Sequence, residues 1–280
     1  MKDFTGRVVV VTGAGSGMGR AFARRFAGLG MSVVAADIEV GALKETVDQL
    51  EADGRTVLGV RTDVSDQDDV QQLARQAVDA FGKVHLLCNN AGVEGYLDGP
   101  IWEATDNDWQ WTVDVNFWSV VHGVRAFLPG MLAHGEEAHI VNTASMTAVT
   151  SPRNMYGITK HAVMALTEVL FHDLRAREAP VGVTALCPGI VATNLFRGSR
   201  NRPDALLNEG GSAGTEPGFE KREQMHALLS EGMPPDAVAD LLVEAVRESR
   251  LYALTDHDWD DAIEERTTHI RAGTSPDVRR

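Results

Sequence analysis

Short apolar runs and stretches of helical period alternate along the chain. Runs rich in Val, Ala, Leu and Thr at 7–12, 32–36, 56–61, 84–88, 138–143, 181–187 and 251–254 have strand length. Between them, charged residues gather on one side and Ala, Leu, Val or Phe on the other over 17–29, 39–52, 66–81, 106–133, 154–177 and 236–248, which predicts six amphipathic helices. Pro129 and Gly130 are expected to interrupt the fourth. Nearly continuous apolar strands alternating with helices describe a parallel sheet covered on both faces. The expected fold is therefore α/β, with seven strands in one sheet and three αβα layers.

Two segments leave this rhythm. Residues 194–234 contain Gly198, Gly210, Gly211, Gly214 and Gly218, with a short helix expected over 220–230. A long irregular insert directly after the sixth strand lies beside the carboxyl ends of the strands, where open α/β sheets bind ligands, so it reads as a substrate-binding loop. The extension 255–280 carries Asp256, Asp258, Asp260, Asp261, Glu264 and Glu265. These suit the first turn of a helix better than a cation site, since the spacing of a calcium loop is missing. The 280 residues suit one domain, 1–280, built around a single sheet.

Charge narrows the partners. Forty acidic against 26 basic side chains leave a net charge of −14, which repels phosphate backbones and anionic lipid, so neither nucleic acid nor membrane is expected. No apolar run reaches the roughly 18 residues of a span, and the glycine-punctuated motif begins too near Met1 for a secretory leader. The two cysteines, Cys88 and Cys187, read as reduced core thiols, and a soluble cytoplasmic protein is expected. No close His/Cys/Glu cluster suggests a metal.

A dinucleotide can still bind, because backbone N–H groups at a helix N-terminus hold phosphates without bulk positive charge. Directly after the first strand stands Thr12-Gly13-Ala14-Gly15-Ser16-Gly17-Met18-Gly19, followed by a helix. Its glycines permit a tight turn and close approach to a pyrophosphate. Asp37 ends the second strand where an acidic partner for the adenosine ribose is expected, and a carboxylate there repels a 2′-phosphate. That predicts NAD over NADP. Asp63-Val64 and Asn89-Asn90-Ala91-Gly92 follow the third and fourth strands and should line the same crevice.

Tyr156 and Lys160 lie four residues apart at the start of a helix and so share a face. An ammonium beside a phenol favours phenolate, which predicts a lowered Tyr156 pKa suited to proton exchange with an alcohol. Ser145 stands just past the fifth strand.

Together these residues resemble the short-chain dehydrogenase/reductase family. The motifs are Thr12-Gly13-x-x-x-Gly17-x-Gly19, Asp63, Asn89-Asn90-Ala91-Gly92, Asn116, Ser145, Tyr156-x-x-x-Lys160 and Pro188-Gly189-x-x-x-Thr193, spread over about 5–195. The resemblance implies a Rossmann-type doubly wound sheet and an NAD-dependent enzyme interconverting a secondary alcohol and a ketone. In it Tyr156 is the general acid/base, Lys160 lowers its pKa and binds the nicotinamide ribose, Ser145 positions the substrate oxygen, and Asn116 holds a water in a proton relay. Ser16, Gly17 and Met18 would meet the pyrophosphate, and Thr193 the carboxamide, with Pro188, Gly189 and Val191 also at the cofactor. Ala144 and Thr159 stand where many members have Ser, which removes no catalytic group.

Substrate identity is less legible. Tyr96, Met146, Val149, Leu195 and Phe196 are candidates to face an apolar pocket or to pack in the core, and Asn201-Arg202-Pro203 in the loop with Leu251-Tyr252 through Trp259 near the end are similar to bacterial members that oxidise bulky aryl alcohols, with alicyclic, steroid and sugar substrates also open. The resemblance further implies a homodimer or homotetramer pairing through 106–133 and 154–177; Trp109, Trp111, Phe117 and Trp118 fit such an interface and equally the monomer's core. The competing reading is a catalytically silent NAD-binding sensor.

Overall fold

The computed structural model describes residues 1–209 and 216–276; Gly210, Gly211 and Gly214 of the irregular insert lie outside the described residues. Seven strands, β1 (Val8–Thr12), β2 (Ser32–Asp37), β3 (Val57–Arg61), β4 (Leu86–Asn89), β5 (Ala138–Thr143), β6 (Val181–Cys187) and β7 (Tyr252–Leu254), form one sheet in the order β3-β2-β1-β4-β5-β6-β7. Every pairing is parallel. The direction of winding reverses between β1 and β4, so the loops leaving their carboxyl ends diverge and open a crevice.

The period-2 geometry of the strands distributes the core. In β1, Val9 and Val11 point to one face and Val8 and Val10 to the other, and all four are buried. The first face is covered by α1 (Gly17–Gly28), α2 (Val40–Ala52) and, from further along the chain, Pro235–Arg247, through Phe22, Phe26, Leu43, Leu50, Leu242 and Val246. The second is covered by α3 (Gln67–Phe81) and the later helices Ser119–His134 and Met155–Ala176, through Leu73, Phe127, Met131, Leu170 and Leu174. The three expected layers are therefore present.

Helix boundaries follow local chemistry. Asp66 caps α3 by accepting from the Asp68 and Asp69 amides, and Thr105 with Asp108 forms a capping box on α4 (Asp106–Val113). The break expected at Pro129 lies elsewhere. α5 (Ser119–His134) runs through Pro129, whose neighbourhood is exposed so that water can satisfy the carbonyl it frees. The interruption is instead a π-helical turn at Asp114–Trp118 between α4 and α5, and it carries Asn116. α6 (Met155–Ala176) is capped by Asn154, whose Oδ1 accepts from Gly157 N at 2.9 Å.

The insert folds as short 3₁₀ turns at Leu195–Asn201 and Asp204–Leu206 and then α7 (Glu216–Ser230), about one turn longer than expected. α8 (Pro235–Arg247) precedes β7, and α9 (Asp260–Ala272) bears Asp260 and Asp261 in its first turn, as the dipole argument requires. No described helix is long and apolar enough to cross a membrane.

Beneath the crevice the strands share a buried amide network. Asn89 Nδ2 donates to Asn142 Oδ1 at 2.9 Å, and Asn142 Nδ2 donates to Thr167 Oγ1 at 3.0 Å, linking β4, β5 and α6. Gly123 of α5 makes room for it, since a Cβ there would collide with Asn89. Replacing Thr167 by Val keeps the shape and strands the Asn142 donor. Thr167→Val should destabilise the protein by about 1–3 kcal/mol in urea unfolding; an unchanged midpoint would show that the network is not a stabilising one.

Candidate active site

The floor of the crevice is the join between β1 and β4. Thr12 Oγ1 accepts from Asn90 N at 2.9 Å and Ala91 N at 3.2 Å, while Asn90 Nδ2 donates to Thr12 O at 2.9 Å. Gly13 (φ +67°) turns away from this join in a left-handed conformation, and a Cβ on it would press to 3.0 Å on both Asn90 and Ala91. Gly17 (φ +50°) opens α1, and Ser16 makes no side-chain cap, so the first N–H groups of the helix face the crevice without a capping acceptor. Asn90 Oδ1 is buried there without a partner.

At the far end, Asp37 Oδ2 accepts from Gly15 N at 2.8 Å and Oδ1 from Glu39 N at 2.9 Å. Burial raises the Asp37 pKa, against the lowering from these backbone donors. Each oxygen keeps lone-pair capacity for a hydroxyl donor.

At the near end, the Asn154 cap starts α6 so that Tyr156 and Lys160 share its first turns. Lys160 Nζ lies 5.4 Å from the centre of the Tyr156 ring and donates to Thr143 O at 2.8 Å. Ser145 follows β5; its Oγ accepts from Thr147 N at 3.2 Å and lies 3.5 Å from Pro188 O, and its hydroxyl favours ionisation of the nearby Tyr156. Asn116 is fully buried: its Oδ1 accepts from Val93 N at 2.8 Å, and its Nδ2 donates to Val93 O at 2.9 Å and Thr159 Oγ1 at 3.1 Å. Gly92 brings this residue close to the lysine, for a Cβ on it would sit 3.3 Å from Asn116 Oδ1 and 3.5 Å from Lys160 Nζ.

The protonation pattern corrects the expectation of a lowered phenol. Burial pushes Tyr156 up to about 12, offset only in part by Ser145, and burial pulls Lys160 down to about 8. The protein alone penalises charge on both groups, so proximity of the pair does not by itself produce phenolate.

Between these ends runs a cleft of about 1250 Å³, partly open to solvent. The glycine loop contributes Gly13, Ser16, Gly17 and Met18, and β2 contributes Asp37. Asp63 and Val64 enter after β3, then Asn90, Ala91 and Gly92 after β4, with Tyr156, Lys160 and Thr193 at the near end.

The other predicted residues stand behind the wall. Gly19 is a packing position, since a Cβ on it would collide with the Gly13 carbonyl. Val191 is buried in the core and bridges to Met233. Pro188 O accepts from Met146 N at 2.9 Å, and Gly189 N donates to Thr255 Oγ1 at 2.9 Å, leaving room where a Cβ would strike Asp256 and Trp259. Ser145 and Asn116 are buried beside the cleft and are not among the residues that line it.

Of the apolar candidates, Leu195 lines the cleft, whereas Met146 and Val149 pack in a cluster with Trp259 and Ile263. Trp111 is buried and on the cleft wall, while Trp118 is partly exposed. Sequence reasoning missed Glu39, Asp114 and Arg200, all on the cleft wall. Glu39 had a signal, standing two residues after Asp37; the others carry no local one.

This glycine loop, acidic strand end and Tyr-x-x-x-Lys pair, set around the switch point of a parallel sheet, define an α/β oxidoreductase. The short chain dehydrogenase family model matches residues 7–204, and the chain belongs to that family. It is 32% identical over 281 residues to the CLA biosynthesis dehydrogenase/reductase of Lactiplantibacillus plantarum, covering 99% of this chain and 98% of that one. It is 41% identical over 196 residues to the 1-deoxy-11-beta-hydroxypentalenate dehydrogenase of Streptomyces arenae, covering 69% and 70%. A solved short chain dehydrogenase/reductase from Burkholderia phymatum in complex with NAD matches with a TM-score of 0.95 and 46% identity, over 100% of this chain and 99% of that chain.

The lysine pKa has a consequence for stability. With Lys160 near 8 in the folded protein against the ordinary lysine value of 10.5, the unfolded chain binds more protons between those values, so stability rises with pH across that window. Below pH 8 the full penalty of burying the charge is present. Lys160→Met should stabilise the nucleotide-free protein at pH 7 by on the order of 2 kcal/mol, after allowing for the lost bond to Thr143, and the gain should shrink toward pH 10.5. Equal gains in urea unfolding at pH 7 and pH 10 would contradict this account.

Proposed function

We propose that this chain is an NAD-dependent oxidoreductase that interconverts a secondary alcohol and a ketone. The observation that carries the reading is the placement of Tyr156 and Lys160 at one end of a cleft whose other end bears Asp37. The cleft suits a dinucleotide. Its glycine cradle leaves no room for a Cβ on Gly13, the N-terminus of α1 is free to meet phosphates, and Asn90 holds an unpartnered buried oxygen. Asp37 accepts from the adenosine ribose hydroxyls and disfavours a 2′-phosphate, which selects NAD over NADP. The NAD complex of the Burkholderia phymatum protein supports that choice.

The nicotinamide, when bound, supplies or accepts the hydride. Tyr156 exchanges the proton of the substrate oxygen, and Ser145 holds that oxygen in line with the phenol. Lys160 binds the nicotinamide ribose and passes protons onward. Asn116, in the π turn, holds the relay water by the resemblance to the family, while its side-chain amide is committed to Val93 and Thr159. Gly17, Met18 and Ser16 meet the pyrophosphate, Asp63 and Val64 the adenine side, and Thr193 the carboxamide.

Val93, Trp111, Leu195, Pro203 and Leu206 give the cleft an apolar lining, which favours a bulky alicyclic or aryl alcohol. The Streptomyces arenae relative is named for a hydroxy compound, which supports an alcohol as the substrate. Exposed Trp118 on the π turn, with Ile158 and Val169 on α6, supports pairing of subunits as a dimer or tetramer.

Purified protein should form NADH from a member of a panel of secondary aryl, alicyclic, steroid and sugar alcohols. Tyr156→Phe should lower kcat by about a thousandfold or more while leaving NADH binding nearly unchanged; retained turnover would remove Tyr156 from the role. Asp37→Ala should erode the preference for NAD over NADP in kcat/KM, and an unchanged ratio would show that Asp37 is not the ribose partner.

A further inference from the structure

Thr159 is the residue before Lys160 on α6, and it is buried. Its hydroxyl has a single proton, and the Tyr156 carbonyl, which can only accept, takes it at 2.8 Å. The lone pairs of the oxygen are left for donors, and from the π turn Asn116 Nδ2 donates to it at 3.1 Å. One hydroxyl therefore joins the first turn of the helix that carries Tyr156 and Lys160 to the turn that carries Asn116. α6 uses the same construction further along, where Thr167 Oγ1 donates to Val163 O at 2.6 Å and accepts from Asn142 Nδ2. There the bridge ties the helix to the sheet; at Thr159 it ties two parts of the site.

The other bonds of Asn116 fix which way its amide points. Val93 N can only donate and meets Oδ1, while Val93 O can only accept and meets Nδ2. With Thr159 accepting the second Nδ2 proton, both donors of the amide are satisfied inside the protein. A reversed amide would set donor against donor at Val93 N and acceptor against acceptor at Val93 O. Without the hydroxyl, one Nδ2 proton would be left without an acceptor in a fully buried residue. The turn would relieve this by shifting, and Asn116 would move with it. Little separates that amide from the lysine, for the Cβ position on Gly92 lies within 3.5 Å of both Asn116 Oδ1 and Lys160 Nζ.

We infer that Thr159 is a positioning residue for the proton relay: its hydroxyl, bonded to the Tyr156 carbonyl and the Asn116 amide, holds the π turn in place against the Tyr156–Lys160 pair. The inference rests on the dehydrogenase reading above. It separates Thr159 from a packing residue by a chemical criterion, since Ser would make both bonds and an apolar residue of the same shape would make neither.

The test is the pH dependence of alcohol oxidation with NAD in three chains: native, Thr159→Val and Thr159→Ser. Thr159→Val should lower kcat about ten- to a hundredfold while leaving the KM of the alcohol and the binding of NADH within about twofold. Its acid limb of kcat should move to higher pH, because protons leave the site less readily. Thr159→Ser should recover most of the lost kcat and the native limb. Native turnover in Thr159→Val, a loss spread evenly over pH, or a Ser variant as slow as the Val one would overturn the inference. Thr159→Ala replaces Val if the Val variant does not fold; a shift of its acid limb in the same direction is expected, and a native profile would again overturn the inference. Hydrogen exchange of the nucleotide-free protein reads the bridge without turnover. The Val93 amide, which donates to Asn116 Oδ1, should exchange faster in Thr159→Val than in the native and Ser chains. That result beside a native chain that oxidises no alcohol would count against the dehydrogenase reading and not against the bridge. Unchanged exchange at Val93 would overturn the bridge itself.

Discussion

The molecule depends on a close approach of two backbones where β1 and β4 end. Thr12 holds the Asn90 and Ala91 amides, Asn90 returns a bond to Thr12, and Gly13 turns aside in a space that admits no Cβ. If this join were looser, the two loops would not diverge from a common edge and no crevice would form at the reversal of winding. Everything that lines the cleft is positioned relative to that edge. The glycine loop rises from one side, the Asn90–Gly92 segment from the other, and the first turns of α6 close the end.

Tyr156 and Lys160 occupy an environment hostile to charge. Tyr156 is pushed up and Lys160 down because both are surrounded by protein, and the hydroxyl of Ser145 compensates only a little. The buried lysine is a standing loss of stability in the resting molecule. Sites of this kind trade folding free energy for function. The amide network of Asn89, Asn142 and Thr167 lies directly below and holds the strand ends that carry Ser145 and the Asn90 loop.

The sheet was legible because strand and helix periods are local, and all seven strands lie where the apolar runs stand. Tyr156 with Lys160, and the glycine loop with Asp37, were legible because spacing within one element or one βαβ unit sets their juxtaposition. Other features depend on tertiary context. Gly19 looks like a ligand-binding glycine in the motif, yet its space is taken by the Gly13 carbonyl. Pro129 looks like a helix break, but its solvent-facing position tolerates the missing donor, while the true irregularity at Asn116 carries no proline or glycine. The pKa of Tyr156 requires knowing its surroundings as well as its neighbour. The Glu39–Arg200 contact joins residues 161 apart and has no signature in either segment.

The wall behind Ser145 is completed from far along the chain. Met146 of the Ser145 loop is held by Pro188, Gly189 is held by Thr255, and Trp259 and Ile263 pack in the same cluster as Met146. β7, which reaches Tyr252–Leu254, is the sheet neighbour of β6 just before that turn. A ribosome making this protein has therefore produced Tyr156 and Lys160 about a hundred residues before the elements that brace their serine partner exist. The glycine loop and β1–β4 join can assemble early in translation, whereas the Ser145 loop cannot acquire its final geometry until β7 and the start of α9 have emerged. A chain stalled between these points would carry a formed glycine cradle and an unbraced Ser145.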